Sequence, residues 1–139
     1  MGSSDALPAS LERERKLSDS NSSRQVVRGE IVFEDDASAF SGATLYVTLE
    51  DVTYADSKAV IVERIVKENV AYDPAAPEPV TFELPVELHD RNALYNIRAH
   101  FDLDGDGQIS PGDYLSTQSY PVITRGHPLE VSVRVSRIK

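Results

Sequence analysis

The sequence predicts an all-β domain, a seven-stranded antiparallel β-sandwich, and three observations predict it. Apolar and polar residues alternate in segment after segment, the period of a strand with one face in a core. Clusters of Asp, Gly, Pro and Ser punctuate those segments at short, regular intervals. Between residue 25 and the C-terminus no stretch carries the 3.6-residue apolar period of an amphipathic helix.

Taken in order, residues 1–23 are polar and serine-rich, with a charged knot at Glu12-Arg13-Glu14-Arg15-Lys16. They predict a disordered tail with at most one helical turn, and Met1-Gly2-Ser3-Ser4 reads as a cloning remnant. The sharper alternative is a docking arm that orders on a partner. The folded domain is expected over residues 24–139. Strand one carries Val27, Gly29, Ile31 and Phe33 on one face, and Phe40 is expected to fold back over the core edge. Strand two, Ala43 to Val52, turns Leu45, Val47 and Leu49 inward and Tyr46, Thr48 and Glu50 outward. Strand three, Ala59 to Val66, is a more continuous apolar run. The three prolines between Tyr72 and Pro79 make that segment a loop. Strand four, Val80 to Leu84, is expected to stop at Pro85. Strand five turns Tyr95, Ile97, Ala99 and Phe101 inward. Strand six runs from Leu115 to Val122, and strand seven carries Leu129, Val131, Val133 and Val135.

Strands five and six are joined by Asp102-Leu103-Asp104-Gly105-Asp106-Gly107-Gln108-Ile109-Ser110-Pro111-Gly112-Asp113, which has the ladder of an EF-hand-type calcium loop. Ca²⁺ is a hard cation that takes six to eight oxygens, and alternate aspartates converge on one point only where the backbone curls tightly. Gly107 permits that curl because it has no Cβ to oppose a positive φ. The expected ligands are the side chains of Asp102, Asp104 and Asp106, the carbonyl of Gln108, Ser110 directly or through water, and Asp113 as the closing carboxylate. Ile109 is expected to point into the core. The flanks read as strands instead of helices, so the ion would be a structural staple. The plainer alternative is an acidic hairpin turn, since Asp-Gly is a strong hairpin signal.

At 139 residues the chain makes one domain, and its formal net charge of −9 argues against nucleic acid and anionic membrane surfaces as partners. There is no cysteine, hence no disulfide, thiolate site or lipid-acceptor residue within the sequence. No apolar run reaches the length of about 18 residues needed to span a bilayer.

Several segments together resemble the YbaY-type and YscW-type lipoprotein domains. They are Val27-Arg28-Gly29-Glu30-Ile31, the stretch Leu45 to Val52 followed by Ala55-Asp56, and Pro79 to Pro85. Tyr95 to Ala99 and Tyr120 to Gly126 complete the set. The resemblance covers about residues 25–139 and implies a transthyretin-like sandwich. It also implies a non-enzymatic, envelope-associated role, periplasmic or extracellular, with a protein partner from a secretion or envelope apparatus. One branch of that family comprises pilotins, small lipoprotein chaperones that help a type III secretion secretin reach the outer membrane. Such a protein needs a lipidated cysteine at its N-terminus, and this sequence has none. The calcium loop is an addition to that pattern and rests on its own residues.

Enzymatic chemistry finds little support in the residues. His89, His100 and His127 are scattered over different strand ends, and His100 reads as a solvated residue on the outward face beside Arg98 and Asp102. No nucleophile elbow or zinc-protease spacing is present, and carboxylate pairs such as Asp35/Asp36 and Glu50/Asp51 are unremarkable in an acidic chain. A small hydrolase is therefore the weakest reading. An interaction domain using edge strands and the outward Tyr46 and Tyr54 is the main one, and a Ca²⁺-stabilised module of a larger secreted or surface assembly is the alternative.

Overall fold

The computed structural model describes residues 23–139 except positions 55, 57 and 89. The expected tail therefore lies almost wholly outside the described residues, as does His89. Eight strands follow in order: β1 Ser23–Phe33, β2 Phe40–Asp51, β3 Val60–Tyr72, β4 Val80–Leu88, β5 Tyr95–Asp102, β6 Tyr114–Ser116, β7 Pro121–Val122 and β8 Glu130–Arg137. The chain is all-β, with no helix among the described residues.

The ladders link these strands into one continuous sheet in the order β3-β2-β5-β6-β8-β1-β4, with β7 pairing to β5. The sheet curls until its two edge strands face each other, and Lys67 Nζ on β3 donates to the Thr81 carbonyl on β4 at 2.7 Å. This corrects the expected antiparallel two-sheet sandwich. β1 and β8 run parallel, Arg28 to Phe33 against Glu130 to Val135, and the sheet is barrel-like and nearly closed. Local periodicity reports which face of a strand is buried, and it carries no information about the direction of a neighbour a hundred residues away.

The curl encloses one core. Val27, Leu45, Val47, Leu49, Ile97, Ala99, Phe101, Val133 and Val135 are shut off from solvent, so the alternation read from β2, β5 and β8 places these residues inward, whereas Leu129, expected at the head of the last strand, precedes β8 and is exposed. Gly29 lies in the β1 row opposite Phe82 and Val131. A Cβ there would stand 2.5 Å from the Phe82 ring and 2.7 Å from the Val131 carbonyl, so glycine is what lets the ring lie over the strand. At one end of the barrel Phe33, Phe40, Tyr72, Phe101 and Tyr114 pack ring against ring, with Phe33 and Tyr72 stacked at 3.9 Å. Tyr72 is thus the end of a strand and not part of the proline loop.

Two further expectations change. β4 runs through Pro85 to Leu88 because it is an edge strand. The Thr81 carbonyl faces the open edge, so Pro85, four residues on, turns its N–H-less nitrogen the same way, where no ladder partner is needed. The expected sixth strand divides into β6 and β7. Between them the buried Asn96 side chain accepts hydrogen bonds from Tyr120 N at 2.6 Å and Ser119 Oγ at 3.1 Å. Ser116 Oγ likewise accepts from Ala99 N at 3.0 Å, so side chains satisfy backbone groups that a ladder would otherwise occupy.

Candidate functional site

The loop between β5 and β6 curls through Gly105, Gly107 and Gly112, whose φ angles are +75°, +74° and +97°. Within it one carboxylate oxygen from each of Asp102, Asp104 and Asp106 lies within 4.8 Å of the others. Asp102 is buried and accepts from Gly105 N at 3.0 Å and from Gly107 N at 2.7 Å. Asp106 is exposed and accepts from Gln108 N at 2.9 Å. Asp104 is exposed too, and its carboxyl is held below the usual carboxylate range. Hydrogen bonding with Asp102 is the main cause; desolvation opposes it, and bonds from Ser110 and from the backbone and side chain of Asp106 add to the lowering.

Asp113 stands apart from this group of three. It is 1% exposed, with Oδ1 accepting from Leu103 N at 3.0 Å and Oδ2 meeting His100 Nε2 at 2.8 Å. Ser110 links the two sets, because its Oγ lies 3.0 Å from Asp104 Oδ2 and 3.4 Å from Asp113 Oδ2. The loop therefore joins an open carboxylate cluster to a buried Asp–His pair. His100 is 7% exposed, which corrects its reading as a solvated residue; a partner thirteen positions away in the sequence gives no local signal. Ile109, expected in the core, is 53% exposed and turns away from it.

Ile109 and Gly107 instead help to line a cleft of about 420 Å³ on the outward face of β3, β2 and β5. Register builds that face in rows. Glu50 stands between Ile61 and Asn96, Thr48 between Arg64 and Arg98, and Tyr46 between Val66 and His100. Thr48 and Glu50 are each 7% exposed, so the outward side of β2 is largely covered where solvation was expected. Glu50 Oε2 accepts from Arg98 Nε at 3.0 Å and Oε1 from Asn96 Nδ2 at 3.3 Å. Tyr46 stacks on His100 at 5.7 Å between ring centroids, and the Arg64 guanidinium sits 5.3 Å above the Tyr46 ring. Tyr54, the other outward aromatic, is 72% exposed and lines no part of this cleft.

The domain is thus a curled, nearly closed sheet with an acidic loop between β5 and β6 and a cleft on its outer face. The chain belongs to the YscW family of type III secretion system lipoprotein chaperones, whose sequence model matches residues 22–135. In fold it is similar to an alternative pilotin from the type II secretion system of Vibrio cholerae. That structure superposes with a TM-score of 0.66 at 18% identity, covering 84% of this chain and 99% of the pilotin chain. No curated protein matches the chain in sequence. No helix among the described residues is long and apolar enough to cross a membrane.

Proposed function

We propose that this domain is a pilotin-like, non-enzymatic chaperone of the bacterial envelope, holding a secretin or another secretion protein on its way to the outer membrane. The observation that carries this reading is the family match over residues 22–135, and the fold shared with a pilotin supports it. The test is to produce the secretin of the same cell with and without this protein and follow secretin multimers in outer-membrane fractions. Multimers should fall, or stay in the inner membrane, when the protein is absent. Equal delivery in both strains sinks the reading.

The loop adds a structural Ca²⁺ site to this reading. Asp102, Asp104 and Asp106 supply the carboxylates, with Ser110 and the Gln108 carbonyl completing the set and Asp113 anchoring the loop from behind. What supports it is the convergence of three carboxylates within 4.8 Å around positive-φ glycines. Hard oxygen donors in such a group suit Ca²⁺ in preference to a softer metal. An extracellular module of this kind holds the ion at roughly 10⁻⁴ to 10⁻³ M, which fits an extracytoplasmic setting.

A further inference from the structure

We propose that the cleft beneath the acidic loop binds an extended segment of the partner protein with the pattern aliphatic-x-acidic-x-aliphatic, its carboxylate seated between Arg64 and Arg98. This rests on the chaperone reading for the existence of a partner, and on the cleft for its chemistry.

The charge argument comes first. Arg64 and Arg98 flank Thr48 on the same face, one strand to either side. Adjacent strands are about 4.8 Å apart, so the two Cα positions are about 10 Å apart and two long guanidinium side chains can converge on one carboxylate between them. Arg98 is already paired with the buried Glu50, yet its side chain keeps 42% of its surface open. Arg64 makes no ion pair among the described residues and rests only on the Tyr46 ring. In a chain of net charge −9, an arginine with no carboxylate among the described residues, beside a second arginine, offers a place for an anionic group.

The spacing argument is independent of charge. Ile61 lies on one side of the arginine row and is 52% exposed, while Ile109 reaches in from the loop rooted at the other end and is 53% exposed. Neighbouring rows of one sheet face repeat every two residues, about 6.8 Å. An extended segment lying along the strands presents its own i−2, i and i+2 side chains at that same repeat. An acidic side chain at i meets the arginines, and aliphatic chains at i−2 and i+2 cover the two isoleucines. A free small anion would leave both isoleucines bare, which is why the occupant is a peptide segment.

The test is a ¹⁵N NMR titration of the whole chain with the peptide acetyl-Ser-Leu-Ser-Glu-Ser-Leu-Ser-amide, alongside peptides carrying Gln or Lys in place of Glu. Saturable shifts are expected at Ile61, Arg64, Arg98 and Ile109, with the Gln peptide about tenfold weaker and the Lys peptide not binding. Arg64→Glu should lose the Glu peptide and gain the Lys peptide. Ile109→Ser, which changes no charge, should weaken the Glu peptide and serves if Arg64→Glu fails to fold. Equal affinity for the Glu and Gln peptides, shifts confined to the seam between β3 and β4, or no saturable shift overturns the proposal. Secretin binding by Arg64→Glu separates the two readings. Retention of the secretin at wild-type affinity removes this cleft and leaves the chaperone role intact. A wild-type protein that binds the Glu peptide but no secretin keeps the cleft and removes the chaperone role.

Discussion

His100 Nε2 lies 2.8 Å from Asp113 Oδ2, and the pair is buried at 7% and 1% exposure where the acidic loop rejoins the sheet. One carboxylate thereby fixes both ends of the loop, because Asp113 also accepts from Leu103 N and Ser110 N, at 3.0 and 3.2 Å. Asp113→Ala leaves those part-buried donors and the buried His100 ring without their acceptor and should cost about 2–3 kcal/mol in urea denaturation. Asp106→Ala removes an exposed acceptor of one backbone N–H and should cost about 0.5 kcal/mol or less. Equal losses for the two variants would show that Asp113 does not anchor the loop.

Calcium should stabilise the domain by RT ln(1 + [L]/Kd), about 2.7 kcal/mol when the free ion is at one hundred times Kd. Thermal unfolding in excess CaCl₂ against EDTA, with MgCl₂ as control, measures it. A calcium-specific rise of several degrees is expected for a domain of this size. The rise should vanish in the double variant Asp102→Asn, Asp104→Asn. A rise that persists there puts the ion elsewhere, and no rise at all reduces the loop to an acidic turn.

Gly29→Ala should destabilise the barrel by about 1–3 kcal/mol, because the added methyl meets both the Phe82 ring and the Val131 carbonyl and the latter is backbone. Combining it with Phe82→Leu removes the ring and should recover part of the loss, since contacting residues couple. A neutral Gly29→Ala would mean that the ring moves aside freely.

What was legible before the structure, and what was not, divides along the reach of each signal. Leu45, Val47 and Leu49 sit in the core because period-2 alternation records one-sided burial directly. The gathering of Asp102, Asp104 and Asp106 was legible because spacing and glycine act within a few residues. Glu50 and His100 were not, because their cover comes from Arg98 and Asp113, side chains brought in by register. The same holds for Pro85, harmless only because β4 is an edge, and for the parallel pairing of β1 with β8.

Tyr95 should make stability fall on the alkaline side. Its hydroxyl donates to the Asp90 carbonyl at 2.9 Å. Burial first, then the charges of Asp51 and Asp90, raise its ionisation above the ordinary value of 10.0. A raised folded pKa favours the neutral phenol in the folded state. That contribution is complete below about pH 10 and is lost as pH rises through the folded value. Tyr95→Phe should cost about 1 kcal/mol at neutral pH and flatten the alkaline decline. Phenolate absorbance tracked against the thermal midpoint checks it, and an unchanged decline in the variant assigns the effect to other groups.

The loop and the cleft share parts, so their ligands should be coupled. Gly107 and Ile109 line the cleft, while Asp104 and Asp106 on the same loop repel the acidic segment proposed to bind there. A cation in the loop neutralises that repulsion and orders the Ile109 rim. Calcium should therefore raise the affinity for the Glu peptide about fivefold, a coupling of about 1 kcal/mol. Linkage requires the peptide to raise the affinity for calcium by the same factor. Calorimetry of each ligand in the presence and absence of the other measures both arms. Asp104→Asn should raise peptide affinity without calcium and shrink the coupling, because it removes one of the repelling charges. Peptide affinity that is identical with calcium and with EDTA would mean that the loop is a staple for the barrel alone and takes no part in recognition.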